Sequence, residues 1–283
     1  MFRKHDDYTT DMIEELNQKL SSFYERIRNK NIIIAFSGGL KSTMLVELAR
    51  PVVQKMKCVF VETSYTSPQD LHYVNDFHKS AENTEIETNI VQNLELNQNI
   101  LVLNSDERDF FCKKGIADIV EEARNSQEYD LVLDGTDFDQ FQTFWGSKQQ
   151  FGDMYSMIFG DLGITREDIL YLAKKHGFKI KKHPEINILS RFTHNLPITE
   201  DLLKAVIEME HFLRDLTNIR LVRVRILDSQ RIIIEARQKE LSKILDEKTR
   251  KKIYNKFSEY GFTSINVDLA GYRRNNLYLP SKS

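Results

Sequence analysis

The run Ile32-Ile33-Ile34-Ala35-Phe36 passes through Ser37-Gly38-Gly39 into Leu40-Lys41-Ser42-Thr43, where helical spacing begins. These residue types at this spacing suit an anion. Glycines let a backbone approach phosphate oxygens closely, and a helix start offers N–H groups and the positive end of its dipole. The hydroxyls of Ser37, Ser42 and Thr43 add donors, so a pyrophosphate fits; an ordinary tight strand-to-helix turn is the competing reading. Lys41 is then either a solvated first-turn lysine or a fixed cation that shares in neutralising phosphate.

Three further groups of residues carry candidate chemistry. Asp134-Gly135-Thr136-Asp137-Phe138-Asp139 sets three carboxylates after a short apolar run, suited to magnesium on a nucleotide or to a substrate hydroxyl, or else to closing an Asx-type turn. Thr63 opens the hydroxyl-rich stretch Thr63-Ser64-Tyr65-Thr66-Ser67, a lining for a nucleoside pocket. Arg223 and Arg225, two apart on a strand, point to one face, where planar guanidinium forks meet phosphate oxygens bidentately; a solvent-facing pair on an amphipathic strand is the alternative.

The elements needed to position these groups are legible as alternation. Residues 11–28 have apolar positions at helical spacing with Thr10 or Asp11 as cap. Residues 31–36, 58–63, 85–91 and 131–134 read as strands, and 42–50, 68–81, 114–124 and 166–176 as helices. Such β–α order implies an α/β fold, a parallel sheet with helices on both faces, whose ligands bind beyond the carboxyl ends of the strands. After about residue 191 the pattern changes to a helix over 200–213, a hairpin of 221–226 and 231–236, a helix over 251–260 and a strand over 264–269. The expected organisation is therefore residues 1–190 as a nucleotide-binding domain and 191–283 as a small α+β domain, with a frayed tail from Arg273.

Composition narrows the classes. The 283 residues, 41% hydrophobic and 29% charged with 11 Gly and 5 Pro, describe an ordered globular chain rather than a low-complexity one. Forty Lys and Arg against 42 acids leave a net charge of -2, without general attraction to nucleic acid or membrane, so any anion site is local. Two cysteines, Cys58 and Cys112, are too few for a disulfide framework, and no apolar run spans a bilayer, so a cytoplasmic location is expected. The seven histidines form no metal pattern such as two on one helical turn flanking a glutamate. Phe138, Phe141, Phe144 and Trp145 read as packing first and as a lid second.

Spacing chooses between two phosphate loops. A Walker loop needs glycine directly before its lysine, but Leu40 precedes Lys41. Ser-Gly-Gly-x-x-Ser after the first strand instead resembles the PP-loop of the adenine nucleotide α-hydrolases, which release pyrophosphate and form adenylates. That loop normally carries aspartate where this chain has Lys41.

A narrower resemblance joins the PP-loop to Arg108-Asp109-Phe110-Phe111-Cys112-Lys113, Asp134-Gly135-Thr136, Asn187-Ile188-Leu189-Ser190-Arg191, Pro197-Ile198-Thr199 and Arg223-Val224-Arg225. Together these resemble the LarE family of ATP-dependent sulfur transferases, which adenylate carboxylates of a pyridinium mononucleotide and convert them to thiocarboxylates. The resemblance implies ATP binding by Ser37, Gly38, Gly39, Ser42, Thr43, Thr63, Asp134, Gly135, Thr136 and Asp137. It implies a substrate phosphate on Arg223 and Arg225, and catalytic positions at Lys41, Cys112, Asn187, Ser190 and Arg191. It further implies ATP with magnesium, a small carboxylate or nucleotide acceptor, a homo-oligomer, and neither membrane nor nucleic acid as partner. Asn187 stands where some members keep a sacrificial cysteine, so sulfur is expected from another source.

Overall fold

The computed structural model describes residues 8–80, 85–95, 98–125, 129–145, 151–152, 154–178 and 187–273. The chain divides into two units: residues 1–63, 68–96 and 110–182 form the first, and 64–67, 97–109 and 183–283 the second. That grouping interleaves the units along the chain, which no single cut expresses.

The first unit is organised by β1 (Asn31–Ala35), whose three isoleucines are completely buried. An uninterrupted apolar run can satisfy only a strand covered on both faces. β1 pairs in parallel with β2 (Lys55–Glu62) on one side and β4 (Leu131–Asp134) on the other, and β3 (Glu87–Gln92) and β5 (Tyr155–Ser156) complete the all-parallel sheet in the order β3-β2-β1-β4-β5. Alternate residues of β1 serve two cores. Ile32 and Ile34 pack with Leu16, Phe23 and Ile27 of α1 (Thr10–Ile27), Met44 of α2 (Leu40–Ala49) and Leu172 of α8 (Arg166–Lys175). Ile33 packs with Ala117 and Val120 of α5 (Arg108–Asn125) and with Phe141 and Tyr155. Helices thus cover both faces, an α/β fold as the alternation implies.

Several boundaries differ from the sequence-based ones for identifiable reasons. Thr9, rather than Thr10 or Asp11, caps α1, accepting from Met12 N at 3.4 Å. β2 begins three residues early because Lys55–Lys57 pair with Asn31–Ile33 despite their charges. α3 (Pro68–Lys79) is near its expected span, whereas α4 (Gln98–Leu103) was not anticipated. The order reverses between β1 and β4: β1 leads on to β2 and β3 on one side, while β4 and β5 lie on the other. In an open parallel sheet the loops at that switch flank the ligand crevice. They are here the segments after Ala35 and after Asp134, followed by α6 (Phe138–Gln140) and α7 (Ile158–Asp161).

The second unit is built on α9 (Glu200–Thr217), capped by Thr199 and ended by Asn218 in the left-handed region at φ 57°, one turn later than the apolar periodicity suggests. α9 packs on the hairpin of β6 (Val222–Ile226) and β7 (Arg231–Ala236), and β8 (Ser264–Val267) adds in parallel to β7. α10 (Leu241–Leu245) and α11 (Glu247–Ser258) contribute Ile244, Ile253 and Phe257 to its core. Buried Asn104, at φ 45°, ties residues 97–109 to this unit: its Nδ2 donates to Thr193 O at 2.7 Å and Leu196 O at 2.5 Å, and its Oδ1 accepts from Arg108 Nη1 at 2.7 Å. The tail beyond Arg273 and His183 lie outside the described residues. Among the described residues no helix is long and apolar enough to cross a membrane.

Candidate functional site

In the first unit the site begins where β1 ends. Gly38 turns the chain at φ 69°, and an added Cβ would lie 3.1 Å from Val74 Cγ2 and 3.3 Å from Val74 N, so glycine is required by both conformation and space. Gly39 differs: it is the N-cap of α2 at φ -82°, without a side-chain cap, and an added Cβ would meet only Ser37 Oγ at 3.4 Å. The hydroxyls turn into the loop. Buried Ser42 Oγ donates to Gly39 O at 3.1 Å, accepts from Ser37 N at 3.2 Å and lies 3.1 Å from Ser37 Oγ. This brace holds the loop open above an uncapped helix start, the arrangement that receives an anion.

Across the switch point the loop after β4 comes against the same helix start. A Cβ on Gly135 would stand 3.1 Å from Ser42 N and from Lys41 C, so only glycine permits the approach. Asp134 is saturated with donors. Its Oδ1 accepts from Thr136 N at 2.7 Å and from Thr136 Oγ1, and its Oδ2 from Lys113 Nζ and Tyr155 OH, each at 2.8 Å. Burial works to raise its pKa, yet Lys113, Thr136 and Tyr155 together hold it at about 2, and burial with the Asp134 charge pushes Tyr155 well up. Asp137, fully buried, caps α6 by accepting from Gln140 N at 2.9 Å, and its Oδ2 lies 3.1 Å from Lys41 Nζ. Lys41 also donates to Gln140 Oε1. Burial lowers the Lys41 pKa while the Asp137 carboxylate opposes that shift.

The second unit holds a cluster of buried cations. Arg191, from the short 3-10 turn Ile188–Arg191, pairs with Glu210 of α9 at 2.9 Å, and Glu210 also accepts from Val224 N at 3.1 Å and Arg214 Nη2 at 2.9 Å. Arg225 pairs with Glu235 at 2.8 Å and donates to Ser190 O at 2.5 Å. Arg223 is only 1% exposed, yet among the described residues its Nε and Nη2 have no hydrogen-bond partner; its guanidinium lies 4.4 Å from the centre of the Tyr272 ring. Burial, with Arg191 and Arg225 nearby, lowers its pKa to about 10, so it stays charged at neutral pH. Burying a cation with donors left without hydrogen-bond partners is costly, and a bound anion would relieve that cost.

Two kinds of comparison bear on this geometry. Residues 31–133, the stretch from β1 through most of β4, match the phosphoadenosine phosphosulfate reductase domain family, whose members are nucleotide-using enzymes. Over 264 residues, 92% of this chain and 98% of the relative, it is 30% identical to the uncharacterized protein MJ0830 of Methanocaldococcus jannaschii. The chain belongs to that protein's family. Its similarity to the uncharacterized protein slr1717 of Synechocystis is 23% identity over 94% of this chain and 98% of that one. The matched stretch, which carries the Ser37-Gly38-Gly39 loop, is similar to PP-loop nucleotide-using enzymes.

The residues singled out from sequence fall into two groups. Ser37, Gly38, Gly39, Lys41, Ser42 and Thr43 gather at the start of α2, with Asp134, Gly135, Thr136 and Asp137 against them. Thr63, buried, follows β2 in the same unit. Cys112 is 3% exposed on α5, and its neighbour Lys113 is the residue that reaches Asp134. Ser190, Arg191, Arg223 and Arg225 form the second cluster, and Asn187 caps the turn that precedes them, its Oδ1 accepting from Leu189 N at 3.1 Å. Asp139 accepts from Arg166 N at 3.0 Å. His194 pairs with Asp106 at 2.7 Å. Phe141 packs in the core, as expected of that aromatic run, while the side chains of Phe144 and Trp145 lie outside the described residues.

Sequence reasoning missed Tyr155, Gln140, Glu210, Glu235 and Tyr272. Glu210 had a signal: it follows Val206 by four residues and precedes Leu213 by three, a carboxylate on the apolar stripe of a helix, which must have a buried partner. Tyr155 had none, because its place depends on β5 joining β4.

Proposed function

We propose that the chain is an ATP-dependent adenylating enzyme that resembles the LarE sulfur transferases and thiolates a phosphate-bearing carboxylate. The observation that carries this reading is the start of α2: an uncapped helix N-terminus at the sheet's switch point, entered through a loop that Gly38 turns and Ser42 braces. The β- and γ-phosphates of ATP rest there, where backbone N–H groups stabilise the charge that grows on departing pyrophosphate. A substrate carboxylate oxygen attacks the α-phosphorus, the bond to the β-phosphate oxygen breaks, and pyrophosphate leaves. Sulfide-class sulfur then attacks the acyl carbon and AMP departs with the carboxyl oxygen. The acceptor's own phosphate is the ligand proposed for Arg223, whose buried Nε and Nη2, without hydrogen-bond partners among the described residues, support that role.

Sulfur comes from outside the chain in this reading. Asn187 has none to give, and burial of Cys58 pushes its thiol up to about 12. The burial of both Cys58 and Cys112 weighs against a thiol-driven reduction of the kind the phosphoadenosine phosphosulfate reductases are named for, since that chemistry needs an accessible thiolate. The test is exchange of radiolabelled pyrophosphate into ATP in the presence of nicotinate mononucleotide or a pyridinium dicarboxylate mononucleotide. Label in ATP that depends on the mononucleotide is expected. Tight ATP binding with no exchange for either probe sinks the adenylation step and leaves a nucleotide-binding protein.

A further inference from the structure

Magnesium is the expected companion of ATP in the proposed reaction, and the carboxylates after β4 are its natural ligands. Their surroundings do not fit such an ion. Magnesium demands near-octahedral oxygen ligands at about 2.0–2.1 Å. A carboxylate has about four lone-pair positions, and all four on Asp134 are taken, by two donors from Thr136, one from Lys113 and one from Tyr155. Asp137 gives one oxygen to Gln140 N and has the Lys41 ammonium against the other, while the Asp139 carboxylate accepts from Arg166 N. Among the described residues no group of three or more His, Cys, Asp or Glu is arranged to hold a metal ion.

The charges explain why none is needed. Of the three carboxylates at and after the end of β4, Asp134 and Asp137 would repel a polyphosphate at this loop by two charges unless something cancelled them. One divalent cation would do so; two ammonium groups do the same. Lys113 stands 2.8 Å from Asp134 and Lys41 3.1 Å from Asp137, one lysine to each acid. Lys41 belongs to the first turn of α2, and Gly135 brings the acidic loop against that same turn, so the compensation is made where phosphates would lie. We infer that Lys41 and Lys113 take the place of a divalent cation at this loop, so that the nucleotide binds without magnesium. The inference rests on the proposed nucleotide site and goes beyond it.

Calorimetric titration of ATP into the full chain, in excess EDTA and in excess magnesium, tests it with wild type, Lys41→Asp and Lys41→Met. Wild-type affinity in EDTA should lie within about threefold of that in magnesium. Lys41→Asp sets a second carboxylate beside Asp137, so it should lose about tenfold or more in EDTA and recover on addition of magnesium. Lys41→Met should weaken in EDTA without creating that recovery, and with wild type it decides the matter if the aspartate variant fails to fold. Wild-type binding seen only with magnesium overturns the inference and leaves the nucleotide site standing. Absence of binding in both conditions overturns the nucleotide site as well.

Discussion

Arg223 and Arg225 stand two residues apart on one strand, yet Arg225 is paired with Glu235 at 2.8 Å while Arg223 Nε and Nη2 have no hydrogen-bond partner among the described residues. The two arginines should therefore respond in opposite ways to removal of charge. Arg225→Met leaves buried Glu235 without this cation and should destabilise the fold by about 3–5 kcal/mol. Arg223→Met removes a desolvated charge from between Arg191 and Arg225, so its melting temperature should hold or rise. Phosphate or mononucleotide should protect wild type against thermal unfolding and fail to protect Arg223→Met. Equal destabilisation by the two substitutions would remove the distinction.

Two adjacent glycines separate folding from ligand approach. Gly38→Ala forces a left-handed conformation on a residue with a Cβ beside Val74, and should cost about 1–2 kcal/mol or more in denaturant unfolding. Among the described residues the Cβ of Gly39→Val meets only Ser37 Oγ, at 3.4 Å, so stability should change little while ATP affinity collapses, because the new side chain occupies space proposed for phosphate. Retained ATP affinity in Gly39→Val would move the phosphates elsewhere.

The donors around Asp134 predict an acid limb in stability. Its folded pKa of about 2 lies below the unfolded value of about 3.9. A carboxylate shifted down stabilises the fold fully above the unfolded pKa and loses that contribution as pH falls through the folded one. Asp134→Asn should accordingly be less stable than wild type at neutral pH, on the order of 2 kcal/mol, with the gap closing between about pH 4 and pH 2. Urea unfolding of both proteins across that range reads the difference directly. A gap that does not change with pH would show that packing, rather than charge, is responsible.

Sulfur bookkeeping in the polypeptide supplies a fourth test. Cys58 and Cys112 are both buried and Asn187 caps a turn through its amide, so neither thiol should be converted to dehydroalanine during turnover. Peptide mass spectra before and after incubation with ATP, acceptor and sulfide should show both cysteines intact. Loss of sulfur from Cys112 in step with product would make that residue the donor. Asn187→Cys should gain a single round of sulfur transfer without added sulfide.

The sequence by itself determined the features that depend on near neighbours. Three consecutive isoleucines demand a strand buried on both faces, Ser37-Gly38-Gly39 followed by helical spacing marks an anion loop, and period-two alternation marks the hairpin of β6 and β7. These signals are local, because backbone conformation and side-chain period are set within a few residues. Only the tertiary structure decided the partners. Lys41 meets Asp137 because β1 and β4 are adjacent in the sheet, and Tyr155 reaches Asp134 because β5 joins β4, neither of which any spacing along the chain encodes. Likewise, alternation places Arg223 and Arg225 on one face, but whether that face is wet or buried depends on what covers it. Glu235 of the neighbouring strand pairs with Arg225 at 2.8 Å, and charges gain or lose their worth by such distances and by exclusion of water, which a linear sequence does not contain.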